Sequence, residues 1–150
     1  MRLLEQAGIE YEAFEYDGEG GKIPGTEIAA RIGMPLERVC KTLVTCTDRR
    51  EYFVFVIPVA KTLDLKAAAA AAGVKALAML PLAKLFPLTG YVHGGCSPIG
   101  LKTAMRVFVD SSVEDFEKMY LSGGRIGLNL GVAPHDLARL VGAKFAPLGI

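Results

Sequence analysis

The spacing of apolar positions along the chain switches repeatedly between the strand period of two and the helical period. "MRLLEQAGI" sets Leu3, Leu4 and Ala7 on one helical side, and "IEYEAFEY" alternates as a strand. "DGEGGKIPG" is a loop by composition. Thr26 is placed to cap a short helix, "TEIAARIG", that Gly33 stops. "RVCKTLVTCT" and "EYFVFVIPVA" are β-branched and aromatic runs around the charged turn "DRRE", which predicts a hairpin. "LDLKAAAAAAG" is the clearest helix, with Asp64 as N-cap and Gly73 as stop; its alanines offer little core volume, so it should lie close against a sheet.

"VKALAML" reads as a short strand, "PLAKLF" as a helix begun by Pro81, and "MRVFVD" as a strand. Ser111 and Glu114 have capping-box spacing. "YLSGG" and "IGLNLG" follow as strands around a glycine turn, then the helix "APHDLARLVG" and the strand "AKFAPL". Strands and helices intermix without regular βαβ alternation, so the expected class is α+β, with a curved mixed sheet and peripheral helices.

A length of 150 residues fits one domain, residues 1–150. Hydrophobic residues make up 51%, much of it alanine. No apolar run reaches the roughly 20 residues a membrane span needs, and "MRLLEQAGIE" carries charges where a signal peptide would be apolar. A soluble, cytoplasmic protein is expected, with no membrane partner. Cys40, Cys46 and Cys96 are an odd number without CxxC spacing, which suggests neither a disulfide framework nor a zinc ribbon. The net charge of +1 argues against a protein that wraps long DNA or RNA, but leaves room for contact with the tip of a nucleic acid.

The densest chemistry lies in "YVHGGCSPIG". Cys96 with His93 as base is one reading. Three residues apart in an extended segment they face opposite ways, and a small buried thiol is the simpler account. With His135 alone elsewhere, a metal lacks ligands, so none is expected. Gly94 and Gly95 would let backbone N–H groups approach an anion or carbonyl oxygen, with Pro98 fixing the exit; a tight turn explains the same residues. Lys41, in "VCKTLV", shares a strand face with Leu43 and Thr45, opposite Cys40, Thr42 and Val44. It either snorkels from an edge strand or supplies a cation at the floor of a cleft. "SGGR", Ser122 to Arg125, is a hairpin turn or a second anion loop.

"CKTLV", "TGYVHGGCSPIGL", "YLSGGRIGLNL" and "DLARLVGAKFAPL" together resemble the YbaK family of aminoacyl-tRNA deacylases, related to the editing insertion of bacterial prolyl-tRNA synthetase. The resemblance runs from about "EYEAFEY" to the last residue, in consistent order. It implies a barrel-like sheet with helices around it and a free-standing proofreading enzyme that releases a wrong amino acid, typically cysteine, from tRNA(Pro), with tRNA(Cys) as a second candidate. By motif position it implies Lys41 as the central site lysine and Gly94 to Pro98 as the loop against the ester. The N–H groups of Gly95 and Cys96 would serve the carbonyl oxygen. Tyr16, Thr42, Ser122, Gly123 and Asn129 would help bind the substrate. Cysteine-specific relatives carry an aspartate at the place of Asn129 and an aromatic near that of Pro24, so a charge suited to the substrate amino group is missing here.

The implied chemistry needs no protein nucleophile and no cofactor, since the substrate's own thiol attacks the ester carbonyl and forms a cyclic thioester. The implied partners are the acceptor end of aminoacyl-tRNA and prolyl-tRNA synthetase. Two other functions fit the same residues: a water-using hydrolase of alanyl- or seryl-tRNA, and a non-catalytic module that grips tRNA ends or a synthetase.

Overall fold

Seven consecutive strand-forming residues, Tyr52–Pro58 (β3), make the central strand of the larger sheet in a computed structural model that describes residues 1–21 and 23–150. Lys22, within the glycine-rich loop, lies outside the described residues. β3 pairs antiparallel with Cys40–Cys46 (β2), as a hairpin, and parallel with Arg106–Asp110 (β5). Ala78–Met79 (β4) closes one edge and Lys144–Ala146 (β8) the other, giving the order β4-β2-β3-β5-β8. A second, antiparallel sheet has the order β1-β7-β6, from Tyr11–Glu15 (β1), Met119–Ser122 (β6) and Leu128–Val132 (β7). The two sheets are joined by a parallel bridge between Val39 and Tyr120 just before β2 begins.

The period of two sorts the core. Val54, Val56, Val107 and Val109 face the small sheet, against Met119, Leu121, Leu130 and Val132. Phe53, Phe55, Ile57 and Phe108 face the other way, onto Ala68, Ala69 and Ala72 of the helix Leu65–Ala72 (α3). Phe55 and Phe108 stack with centroids 5.3 Å apart. The small alanine side chains let α3 sit close over these rings, as the composition suggested. Asp64 caps α3 by accepting from the Lys66 and Ala67 N–H groups, and Gly73 ends it in the left-handed region.

The remaining helices are Arg2–Gln6 (α1), Gly25–Ile32 (α2), Leu85–Thr89 (α4) and Pro134–Val141 (α5). Two caps read from sequence differ. Pro24 occupies the N-cap of α2, and Thr26 sits inside its first turn with no side-chain cap made at this end. Ser111 and Glu114 form no capping box; Ser111–Val113 is a single 3₁₀ turn, and it is Ser112 that donates to the Asp110 carboxylate. "PLAKLF" is a 3₁₀ turn at Leu82–Lys84 running into α4, which continues past Pro87. In α1 only Leu4 is buried, while Leu3 and Ala7 are exposed. No described helix is long and apolar enough to cross a membrane.

Candidate active site

Where the two sheets part, beyond the Val39–Tyr120 bridge, they leave a cleft of about 490 Å³. The large sheet contributes Lys41 and Thr42 from β2; the small sheet contributes Ser122 and Asn129, which are register partners on β6 and β7. Tyr16 follows β1 and is held by its N–H donating to the Gly127 carbonyl at 2.9 Å. His93, Gly94 and Cys96 bring the glycine loop to the wall, and Met79, Leu80, Leu82 and Leu85 form an apolar side. Among the described lining residues there is no carboxylate. Lys41 adds an ammonium to a described wall without a carboxylate, so the cleft suits a group that carries or develops negative charge.

The loop is folded, not extended. Gly95 N–H donates to the Val92 carbonyl at 3.0 Å, closing a turn whose third residue, Gly94, has φ +91°. A side chain there would be strained. Gly95 is required for another reason, because a Cβ on it would meet the Arg125 Cα and Ile126 N at 3.1 Å. Ser122 ties the two glycine loops together: its hydroxyl donates to the Gly95 carbonyl at 3.0 Å and accepts from Gly124 N–H at 3.1 Å. Thr89 anchors the loop's start by donating to the Leu85 carbonyl at 2.7 Å and accepting from Tyr91 N–H at 3.0 Å. The Tyr91 hydroxyl donates to the Ile99 carbonyl across the loop.

Seven of the residues that sequence and resemblance point to meet at the cleft: Tyr16, Lys41, Thr42, Gly94, Cys96, Ser122 and Asn129. Gly95, Pro98 and Gly123 do not line it. The Gly95 N–H donates to the Val92 carbonyl. Cys96 N–H donates to no described residue. Gly123 serves the hairpin, its N–H donating to the Leu128 carbonyl at 2.9 Å, and Pro98 is buried within the loop.

The two thiols at the cleft, Cys40 and Cys96, are poor nucleophiles. Burial pushes Cys96 up to about 11, only partly offset by a hydrogen bond with Thr89. Burial, with a smaller contribution from Asp110, pushes Cys40 up to about 12. Two buried oxygens on the wall, Thr42 Oγ1 and Asn129 Oδ1, have no partner among the described residues. An orphaned buried acceptor costs about 1–3 kcal/mol, so a ligand that donates to it recovers energy. No group of three or more described His, Cys, Asp or Glu side chains is arranged for a metal.

Sequence reasoning set His93 aside, yet it lines the cleft rim. It also passed over the apolar wall on β4 and α4, whose signal was the crowding of leucines into "LAMLPLAKLF".

Comparison with known proteins places this architecture. A model of the aminoacyl-tRNA editing domain matches residues 25–140. A relative from Enterococcus faecalis, named as a candidate Cys-tRNA(Pro)/Cys-tRNA(Cys) deacylase, EbsC, is 33% identical over 148 residues, covering 99% of this chain and 90% of its own. Two solved structures share the fold across 99% of this chain. One is described as a hypothetical protein (25% identity, TM-score 0.88, 97% of that chain covered). The other is described as a candidate trans-editing enzyme for prolyl-tRNA synthetase (23% identity, TM-score 0.87, 93% covered). With the family model spanning the cleft's strands and both glycine loops, the chain belongs to the aminoacyl-tRNA editing domain family, of the YbaK type.

Proposed function

We propose that this protein is a deacylase acting in trans on tRNA(Pro) or tRNA(Cys) mischarged or charged with cysteine, and that the substrate's thiol is its nucleophile. The observation that carries the reading is the make-up of the cleft: a lysine, orphaned polar oxygens and a folded glycine loop, without a carboxylate among the described wall residues and with both nearby cysteines held protonated by burial. Such a wall orients and stabilises charge without supplying a nucleophile of its own.

In this account the cysteine sulfur attacks the ester carbonyl, the carbon–oxygen bond to the terminal ribose breaks, and the thiol proton ends on the leaving ribose oxygen. A four-membered cyclic thioester departs. Free thiol is only a few per cent ionised at neutral pH. Holding sulfur and carbonyl carbon in one conformer offsets that deficit, although ring strain keeps the gain far below the largest effective molarities. Lys41 and the Cys96 N–H face the developing oxyanion, an interaction whose loss typically costs about 3 kcal/mol. Thr42 and Asn129 accept from the substrate's amino group. Asn129 does so without a formal charge, unlike the aspartate of cysteine-specific relatives. Prolyl-tRNA synthetase is the natural source of the mischarged substrate and a candidate partner.

His93 on the rim favours a second reading, a hydrolase of alanyl- or seryl-tRNA in which an ordered water attacks. Deacylation of tRNA(Pro) charged in turn with cysteine, alanine and serine decides between them. Rapid loss of cysteine with alanine retained supports the thiol route; rapid loss of alanine alone supports the water route and ends the first.

A further inference from the structure

One stretch of the chain is charged with a single sign. Residues 65–109 hold five of the seventeen basic residues, Lys66, Lys75, Lys84, Lys102 and Arg106, and none of the sixteen acidic ones. The near-zero net charge conceals this, since the rest of the chain is acidic in balance. The same stretch exposes apolar side chains beside the cleft. Leu82 and Phe86 are 62% and 58% exposed, with Met79 and Val92 also open to solvent. Met79 and Leu82 line the cleft, Phe86 follows Leu82 by one helical turn, and Val92 adjoins the rim residue His93. Lys84 lies between Leu82 and Phe86 in sequence; Lys102 sits at the end of α4, its N–H donating to the Thr89 carbonyl at 3.0 Å. Both lysines are exposed.

An exposed aromatic flanked by lysines is how proteins hold single-stranded nucleic acid: bases stack on the ring and phosphates meet the cations. The geometry of an ester in the cleft makes the same demand. With the acyl group beside Lys41 and Cys96, the base on the same terminal ribose must emerge at the mouth.

We propose that the rim formed by β4 and α4 is the platform for the unpaired 3′ end of the tRNA, with the terminal base stacked on Phe86 beside Leu82 and the preceding phosphates near Lys84 and Lys102. The proposal rests on the deacylase reading above and adds the surface that presents its substrate. A second copy of the chain is the competing occupant of an apolar rim, but the flanking lysines would repel their counterparts across a two-fold axis.

The chain contains no tryptophan, so Phe86→Trp installs a single reporter. Titration with a short single-stranded RNA ending in CCA should quench its fluorescence, and the same RNA with an abasic last residue should bind about tenfold more weakly, in line with the stacking energy of one base. Phe86→Ala should raise KM for cysteinyl-tRNA about tenfold with kcat changed less than twofold, and Phe86→Trp should restore KM. Equal quenching by the two RNAs, an unchanged KM in Phe86→Ala, or a wild-type dimer that Phe86→Ala dissociates would overturn the platform. If the wild-type protein cleaves no aminoacyl-tRNA, the deacylase reading fails, while the fluorescence titration still decides the platform by itself.

Discussion

Lys41 is a cation on the wall of a cleft whose other described lining side chains carry no carboxylate, and that setting makes it the most consequential single residue in the proposed chemistry. Lys41→Ala should lower kcat/KM on cysteinyl-tRNA about 100-fold, the usual cost of one oxyanion contact, with the thermal unfolding midpoint nearly unchanged; a folded variant with full activity would remove Lys41 from the site. Cys96 is its opposite, a conspicuous residue that burial makes inert. Cys96→Ser should keep most activity, and thiol labelling at pH 8 should reach the half-exposed Cys46 well before Cys40 or Cys96. Asp110 has a purely structural part. Burial alone would raise its pKa, but the Ser112 hydroxyl, the Leu148 and Gly149 N–H groups and Lys61 more than offset this and hold it below the ordinary carboxylate value. Because the folded state favours the ionised form, its contribution to stability is fully present above the unfolded pKa near 3.9 and fades as pH falls through the folded value. Asp110→Asn should therefore cost about 1–3 kcal/mol in denaturant unfolding at pH 7, and the gap from wild type should narrow below pH 4. Lys41 and Cys96 were both visible in the sequence, but only burial and the cleft wall separate the residue proposed to work from the one proposed to be inert.

At the scale of elements, the loop "GGCSP" is positioned by another loop that fits against it. A Cβ at Gly95 would come within 3.1 Å of the backbone at Arg125 and Ile126, and the Ser122 hydroxyl donates to the Gly95 carbonyl. Gly95→Ala should displace the loop by a few tenths of an ångström and reduce kcat/KM more than tenfold, since catalytic geometry tolerates less displacement than packing does; the unfolding midpoint should fall only slightly, and equal activity would show that the loop's position is not critical. The strands, the β2–β3 hairpin, the alanine helix and the glycine stops were legible because periodicity and turn chemistry are local. The partition of β-structure into two sheets was not, because pairing β3 with β5 in parallel and β1 with β7 in a separate sheet depends on partners distant in sequence. The two mistaken caps, at Thr26 and at Ser111, share one feature. A neighbour, Pro24 in one case and Asp110 in the other, occupies the N-cap position instead.

Taken whole, the molecule lines its cleft from both sheets, and the stretch that supplies the cleft's apolar side, within residues 65–109, carries basic residues and no acidic one. The family resemblance was readable from four motif blocks, whereas the cleft itself was not, because its wall is assembled from β2, the ends of the small sheet and α4, which lie far apart along the chain. The account's central claim is that the substrate brings the nucleophile, and single-turnover deacylation of tRNA(Pro) carrying cysteine or S-methylcysteine tests it most directly. The added methyl changes fit by about 1–3 kcal/mol, roughly a factor of 10 to 200, but removes the thiol outright. The account predicts that the methylated substrate is cleaved no faster than it decays without enzyme; cleavage within tenfold of the cysteine rate would contradict it.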